Sequence, residues 1–359
     1  MAEFDLNKST TTNFTSNVPD FIVQSKALDV DSDSGETYYY FGEANTNLGY
    51  ACAIPEIYSA CAALCTWAFG KGWETDARTK VEFEHFTGRG NDTFGTIMWN
   101  HEFIKLVVGD AFAEIVRKEG NEETIVNLVP ISPERVRIVS KNGRIKRYEV
   151  WDGGDWETIE IEDMYHSSNK RIGDQIHGTS QIDAIRNIID ARNEAIEDER
   201  TIKHRDKALG IVYYKTNNAG KISYANTQIE NAVKNGEMVG MPEDTGEIKP
   251  YPSKSSEDRQ SWIQYLENFT YQSFGVPRSI ATSDGTSEVG GKMGHVIFEP
   301  IYTKEQEDEE KNIWNRLHRK VTFNRPPSLG GMQPELDESK NTGQLAIQPN
   351  DVEASVTRE

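Results

Sequence analysis

The strongest constraint on the fold lies between Ser256 and Lys320, where the sequence predicts two helices joined by a glycine-rich loop. In the first predicted helix, acidic residues follow a serine N-cap and apolar residues recur about every 3.6 positions. Gly275 and Pro277 end this helix, because glycine tolerates the left-handed conformation there and proline cannot continue a helix. Four glycines then occur between residues 285 and 294, which predicts a mobile loop that works against a partner.

A second, longer helix is predicted over about residues 293–320. Pro300 predicts a kink, because proline lacks the N–H group that would bond to the carbonyl of Val296. The middle of the helix, residues 304–311, is almost entirely charged. We interpret this run as a solvated face, with an acidic channel lining or a contact between subunits as the alternatives.

A third long helix is predicted over 179–207, since isoleucines at 182, 185, 189 and 196 share one face between charged flanks. Thr179 or Ser180 can cap it, and Glu199 and Lys203 form a favourable i,i+4 pair. A small α/β segment follows, with strands at 210–215, 237–241 and 247–251 and a helix at 223–234. The basic cluster at 203–207 is interpreted as a solvated helix end rather than a DNA-binding element.

The region 50–175 predicts an α+β unit with helices near 55–69 and 92–108. Five strands are predicted, at 111–117, 124–129, 135–140, 145–150 and 157–161. Asn142-Gly143 between two of them is a strong hairpin signal. The polar residues 1–48 predict a tail or arm, and the aromatic cluster at 38–41 could anchor it on a neighbouring molecule.

Several motifs of this chain resemble the portal proteins of tailed bacterial and archaeal viruses. The main one is the run Phe269–Ile280, followed by the glycine/serine loop and by Phe298–Ile301. Further matching motifs are Gly109–Phe112, Leu128–Pro133 with Val136, and Gly178–Ala184. Together they cover roughly Pro55 to Val321 in the family's order, so four weak motifs make a fairly specific set.

The resemblance implies an α+β portal-type subunit and divides the chain into named parts. These are an N-terminal arm (1–48), a wing (49–176), a first stem helix (177–208), a clip (209–254), a second stem helix (255–278), a tunnel loop (279–294), a long kinked wing helix (295–322) and a tail or vestigial crown (323–359).

The resemblance also implies a function. Twelve copies would form a ring at one capsid vertex, as a conduit that passes double-stranded DNA without sequence specificity. The ring would bind the large terminase subunit, then a head–tail adaptor, and would contact the major capsid protein. Assembly would take place in the host cytoplasm and the final location would be the virion, with no membrane contact, no enzymatic activity, no metal and no cofactor.

Site residues follow from the same resemblance. The tunnel loop facing the DNA would comprise Ser283, Asp284, Gly285, Thr286, Ser287, Glu288, Gly290, Gly291 and Lys292. The clip surface facing terminase or adaptor would comprise Tyr213, Tyr214, Lys215, Asn226, Glu230 and Lys234. Lys292 has two open interpretations: a weak phosphate contact, or a local partner such as Glu288 or the start of the next helix.

Charge and cysteine content limit the alternatives. A formal net charge of −19 argues against tight duplex binding, which needs an excess of Lys and Arg, but not against DNA passing by. Cys52, Cys61 and Cys65 form no CxxC pair and have no nearby histidine, so buried free thiols are predicted. The first residues carry no secretory signal, and the apolar stretch 57–70 is too short to span a bilayer, which predicts a soluble protein.

Few residues support nucleotide binding or an enzyme site. The segment 285–293 resembles a phosphate-binding loop but has Gly291 where the lysine belongs, Met293 after Lys292, and a helix before it rather than a strand. His166, Asp174 and His177 lack metal-ligand spacing, so loop polarity or hydrogen bonding is favoured over an enzyme site. The main alternative to a portal is a capsid adaptor or minor head protein, which would not need the glycine-rich loop.

Overall fold

The computed structural model describes residues 27–31, 35–206, 211–235, 246–249, 256–282 and 288–328. The helices are α1 (Ala44–Ala53), α2 (Pro55–Phe69), α3 (Ala77–Glu84), α4 (Phe94–Val108), α5 (Gln181–Asp206), α6 (Ala219–Asn235), α7 (Ser256–Phe274), α8 (Arg278–Ala281) and α9 (Glu288–Leu317). The strands are β1 (Ala27–Asp31), β2 (Glu36–Tyr40), β3 (Trp73–Thr75), β4 (Asp110–Lys118), β5 (Asn121–Ile131), β6 (Val136–Lys141), β7 (Arg144–Trp151), β8 (Trp156–Ile159), β9 (Met164–Ser168), β10 (Ile211–Tyr214), β11 (Gly246–Lys249) and β12 (Val321–Phe323). The fold class is α+β, as predicted.

The strands in the described part of the chain form four antiparallel sheets. The largest has the order β1-β2-β6-β7-β8 and a second has the order β5-β4-β9. The pairs β12-β3 and β10-β11 are two-stranded. The hairpin between β6 and β7 turns at Asn142 and Gly143, which have φ angles of 55° and 72°. Two consecutive positive φ values fit the turn that an Asn-Gly pair favours, so the predicted hairpin is confirmed.

Helices α2 and α4 run through the core. Pro55 stands in the first turn of α2, where its missing N–H costs no hydrogen bond. Thr93 and Thr96 form a capping box that starts α4. The inner faces of both helices are fully buried, including Ile57 and Ile97. These two helices provide the surface on which the long helices pack.

Helix α5 packs against α7 as a helical pair. Ser180 caps α5, because its Oγ accepts hydrogen bonds from the backbone N–H groups of Ile182 and Asp183 at 3.1 and 3.2 Å. Ile182, Ile185 and Ile189 are buried on the predicted face, whereas Ile196 is only half-buried. Lys203 lies 3.5 Å from Glu199, so the predicted ion pair is confirmed.

The prediction of an N-terminal arm is wrong for the described residues 27–31 and 35–48. Strand β2 pairs with β6, so this segment completes the largest sheet instead of leaving the subunit. The aromatic cluster 38–41 packs within the chain: the Arg137 guanidinium lies 4.8 Å from the Tyr38 ring centre, and the Phe41 and His177 rings are 4.3 Å apart. The polar composition of this segment concealed strand β2 from the sequence analysis. Alternate side chains of β2 contact other residues of the same sheet.

Other elements were missed because they are short. Strand β3 pairs with β12, β9 joins β4, and α3 and α8 are helices of eight and four residues. The predicted strands at 237–241 and 247–251 fall wholly and partly outside the described residues. Cys61 and Cys65 are buried free thiols as predicted, whereas Cys52 is exposed. No single described helix has both the length and the apolarity to span a bilayer; α1 and α2 meet those limits only as a pair bent by 97°.

Candidate functional site

The predicted tunnel loop is shorter than its glycines indicated. Helix α9 starts at Glu288, so Glu288, Gly290, Gly291 and Lys292 are helical. Ser283, Asp284, Gly285, Thr286 and Ser287 lie outside the described residues. The glycine content was misleading because Gly290 and Gly291 continue the helix, at a cost of roughly 1 kcal/mol each relative to alanine.

The loop begins at a rigid turn. Helix α7 ends in a Schellman motif, in which the N–H of Gly275 donates to Gln272 O at 3.0 Å and the N–H of Val276 donates to Tyr271 O at 3.1 Å. Gly275 has a φ of +65°, and a Cβ atom there would lie 2.8 Å from Cδ1 of Ile301. Glycine therefore serves both the turn and the close contact with α9.

The two ends of the loop are held against each other. A Cβ atom at Gly294 would lie 2.8 Å from Oγ of Ser279 and 3.3 Å from Cβ of Pro277. The α8 turn is closed by the N–H of Thr282, which donates to Arg278 O at 2.8 Å. The described residues that flank positions 283–287 therefore pack against each other at the base of the predicted loop.

Aromatic contacts fix the start of α9 on α2. Trp67 lies 5.0 Å from the His295 ring, 6.0 Å from Phe298 and 5.7 Å from Tyr302, measured between ring centres. Phe298 and Tyr302 are fully buried. Lys292, three residues before His295, is exposed and takes part in an interaction within the chain. The predicted kink residue, Pro300, lies inside α9, and the kink itself stays a prediction.

The middle of α9 contradicts the predicted solvated face. Glu305, Gln306 and Glu309 are buried, because a period of 3.6 residues places them on the same side as Tyr302 and Ile313. Lys304 and Asp308 are exposed and pair with each other, whereas Glu307 and Glu310 are half-buried. Only the outer half of the run is therefore solvated.

Lys105 of α4 compensates the buried carboxylates. Its Nζ lies 2.7 Å from Glu102 Oε2, 3.0 Å from Glu305 Oε2 and 3.9 Å from Glu309 Oε2. We call these four residues the buried ionic cluster. Burial raises the pKa of Glu102 to about 8. Burial would lower the pKa of Lys105, but the three carboxylates outweigh it and raise that pKa.

Neutral donors complete the ionic cluster. Glu309 Oε1 accepts hydrogen bonds from the hydroxyls of Tyr165 at 2.6 Å and Ser167 at 2.9 Å. Burial would raise the pKa of Glu309, but Lys105 and His101 lower it. Burial itself lowers the pKa of His101 to about 4. The cluster thus fastens the second half of α9 to α4 and β9, and the two charged residues within the apolar α4 sequence were its only sequence signal.

The histidines considered for an enzyme site share one buried aspartate. Asp110 lies 2.9 Å from His166 Nε2 and 3.2 Å from His177 Nδ1, and it accepts the N–H of Gly178 at 3.0 Å. Burial would raise the pKa of Asp110, but hydrogen bonds to both histidines lower it. Asp174 is exposed, and no metal-binding group of three or more ligands occurs in the described part of the chain. Hydrogen bonding within the subunit, the favoured interpretation, is confirmed.

The predicted clip forms a strand–helix–strand unit. Strand β10 pairs antiparallel with β11, and α6 lies between them in sequence. The Tyr214 hydroxyl donates to Asn226 Oδ1 and joins the sheet to the helix. Tyr213, Lys215, Asn226 and Glu230 are exposed, and Lys234 belongs to the helix. These residues lie together on one small unit, but nothing in it shows a partner.

Comparison with known proteins gives a fold. No protein-family model and no curated protein sequence matches the chain. Solved structures do match. The neck of a native gene transfer agent particle, computed with C12 symmetry, contains a chain with a TM-score of 0.63 and 13% identity, covering 81% of this chain and 86% of that one. A chain of the whole native particle gives a TM-score of 0.61 at 14% identity, covering 79% and 84%.

A third match decides the fold type. An HK97-family phage portal protein from Corynebacterium diphtheriae has a TM-score of 0.53 and 14% identity, covering 77% of this chain and 94% of that one. The fold is that of a phage portal protein. The resemblance inferred from the sequence motifs is therefore confirmed at the level of the portal fold.

Proposed function

We propose that this chain is a portal subunit, which forms a ring at one capsid vertex and passes double-stranded DNA during packaging and ejection. The observation that carries the proposal is the match over about four-fifths of both chains to a neck computed with C12 symmetry. A loop held at its base between two long helices fits a part that faces a channel. No covalent chemistry is required of the chain.

The narrowest part of the channel would be formed by residues 282–287 and the first turns of α9. Because Gly275 and Gly294 pack the base of this segment, only its tip could shift between copies as DNA passes. The exposed Lys292 would supply one weak phosphate contact per subunit. Glu288, Gly290 and Gly291 would then form the first turn of α9 rather than part of the flexible loop.

The strand–helix–strand unit of β10, α6 and β11 would bind the terminase large subunit and later the head–tail adaptor. Its exposed residues Tyr213, Lys215, Asn226 and Glu230 would provide aromatic and polar contacts. Repetition around a ring would turn weak single contacts into firm attachment. Deletion of residues 223–234 should abolish terminase binding in a pull-down while ring formation persists. Retained terminase binding would show that the unit has another role.

The proposal as a whole is tested by the mass of the purified chain in solution. A portal should give particles near twelve times 40.6 kDa by mass photometry. The same sample, treated with a chelator, should keep its mass because no metal is needed. A stable dimer that loses its structure with the chelator would reject the portal function and favour an enzyme.

A further inference from the structure

From Gln260 to Asn268 the outer face of α7 is aromatic and carries no exposed charged side chain. Trp262 and Tyr265 are 50% and 52% exposed, and their rings stack with centres 5.6 Å apart. Between residues 260 and 268 the other exposed side chains are glutamine, serine and asparagine, in a chain with 27% charged residues. Exposed tyrosine and tryptophan are typical of the centre of a protein–protein interface.

Two polar groups on this face have no partner within the described chain. The indole N–H of Trp262 and the hydroxyl of Tyr265 make no hydrogen bond to another described residue. Both can donate, and the indole can only donate. A partner that fits this face therefore offers acceptor oxygens beside a flat surface.

The outer face of α5 offers such acceptors. Asp190, Glu194 and Asp198 are spaced four residues apart, are exposed, and make no ion pair with another described residue. Like charges at this spacing destabilise an isolated helix by a few tenths of a kcal/mol per pair. Hydrogen-bond donors from another molecule would stabilise the charge of these carboxylates.

Both faces lie at the same height along the α5–α7 pair. Ser273 of α7 donates to Gln181 of α5 at 3.2 Å, which fixes the level of the two antiparallel helices. Trp262 precedes Ser273 by as many residues as residue 192 follows Gln181. In antiparallel helices the two positions therefore lie at the same level, about 16 Å along the helix axis from this contact. If the α5–α7 pair runs along the ring axis, rotation between neighbouring copies keeps these heights, and the two faces can meet.

We propose that the aromatic face of α7 in one copy binds the acidic face of α5 in the next copy. The contact is heterologous, with two different surfaces on each subunit, as ring closure requires. Trp262 and Tyr265 would donate to carboxylates around Asp190 and Glu194 while their rings cover the apolar stems. This inference rests on the proposed portal function and names the surfaces that hold the ring together.

The test uses the full chain and counts rings by mass photometry. Trp262→Glu places a carboxylate against the acidic face and should reduce the ring fraction by about tenfold or more. Trp314→Glu is the matched control, because Trp314 is 56% exposed at the far end of α9, and it should leave rings unchanged. Adding Glu194→Lys to Trp262→Glu should restore rings, since opposite charges then meet across the contact.

The outcomes separate the two proposals. Normal rings with Trp262→Glu, or a loss that Glu194→Lys does not restore, would overturn this contact while wild-type rings keep the portal function. Absence of wild-type rings would overturn the portal function and the contact together. Circular dichroism of each variant checks that the exposed substitutions leave the subunit folded.

Discussion

The two halves of α9 on either side of Pro300 invert the usual relation between composition and exposure. Beyond Pro300 the helix is highly charged, yet Glu305 and Glu309 are buried in the ionic cluster. Before Pro300 it is rich in apolar residues, yet Met293 and Ile297 are 58% and 61% exposed. Both halves are anchored to their own subunit, but the apolar half also presents exposed apolar side chains that other molecules could contact.

This difference assigns the halves different tasks. A buried cluster of one lysine and three carboxylates holds only one arrangement well, because each charge depends on its partners in a low-dielectric interior. It makes the second half of α9 a fixed support. The first half, with three glycines and an exposed apolar side, follows the loop that we propose faces the DNA.

The largest effect is expected at the fixed half. Lys105→Ala removes the only cation of the ionic cluster and leaves buried carboxylates unpaired, so the free energy of unfolding should fall by about 3–5 kcal/mol. Lys304→Ala is the matched control, because its pair with Asp308 is exposed, and it should change stability by less than about 0.5 kcal/mol. Urea denaturation measures both. Similar effects of the two substitutions would mean that the cluster is solvated after all.

The next largest effect depends on pH. The pKa of Glu102 is raised to about 8 from its ordinary value of 4.5, so the folded state holds a proton that the unfolded state releases between these values. The stability contributed by this proton is complete below pH 4.5 and is lost as pH rises through 8.

Glu102→Gln keeps the neutral shape at every pH. It should therefore match the wild type near pH 5 and exceed its stability by about 1–3 kcal/mol near pH 9. Thermal unfolding across this range measures the difference. A constant gap at all pH values would show that Glu102 keeps its charge throughout.

A smaller pair of effects, of opposite sign, tests where the loop ends. Gly275→Ala forces a left-handed residue against Ile301 and should cost about 1–2 kcal/mol. Gly291→Ala stands in a helix with no atom within 4 Å of the new Cβ, so it should stabilise the protein by up to about 1 kcal/mol. Chemical denaturation compares them. Destabilisation by Gly291→Ala would show that residue 291 belongs to the flexible loop and not to α9.

The smallest effect on stability is expected at Lys292. Lys292→Ala should change the free energy of unfolding by less than about 0.5 kcal/mol, because the side chain is exposed. Rings should still assemble, whereas packaging or retention of DNA should change. Lys304→Ala, a cation on the fixed half, is the control for loss of charge. Unchanged packaged-DNA length and virus titre for Lys292→Ala would show that this residue does not act in the channel.

The sequence predicted the elements whose signals are local. The helix from Pro55, the Asn142-Gly143 hairpin and the Ser180 cap each depend on a few adjacent residues, and all are present. Long amphipathic patterns were also reliable, since three isoleucines of α5 are buried as expected.

Features that depend on residues far apart in the sequence were missed or wrongly predicted. Glu305 became buried because Lys105, two hundred positions earlier, reaches it, and no local pattern encodes that pairing. Strand β2 was taken for part of an arm because its partner β6 lies about a hundred residues away. The prediction of a loop at Gly290 and Gly291 came from the general preference of glycine for loops, whereas the surrounding helix determines their conformation. For the candidate site, the two long helices that flank residues 283–287 were predictable, but the residue at which α9 begins and the packing at Gly275 and Gly294 were not.

The central claim is that copies of this chain form a closed ring around a channel for DNA. Cryo-electron microscopy of the purified full chain tests it most directly. The account predicts closed rings with a central hole wide enough for a duplex, with residues 282–292 at the narrowest point and α9 beyond Pro300 packed outside it. Rings with these residues on the outer surface, or a closed dimer without a channel, would contradict it.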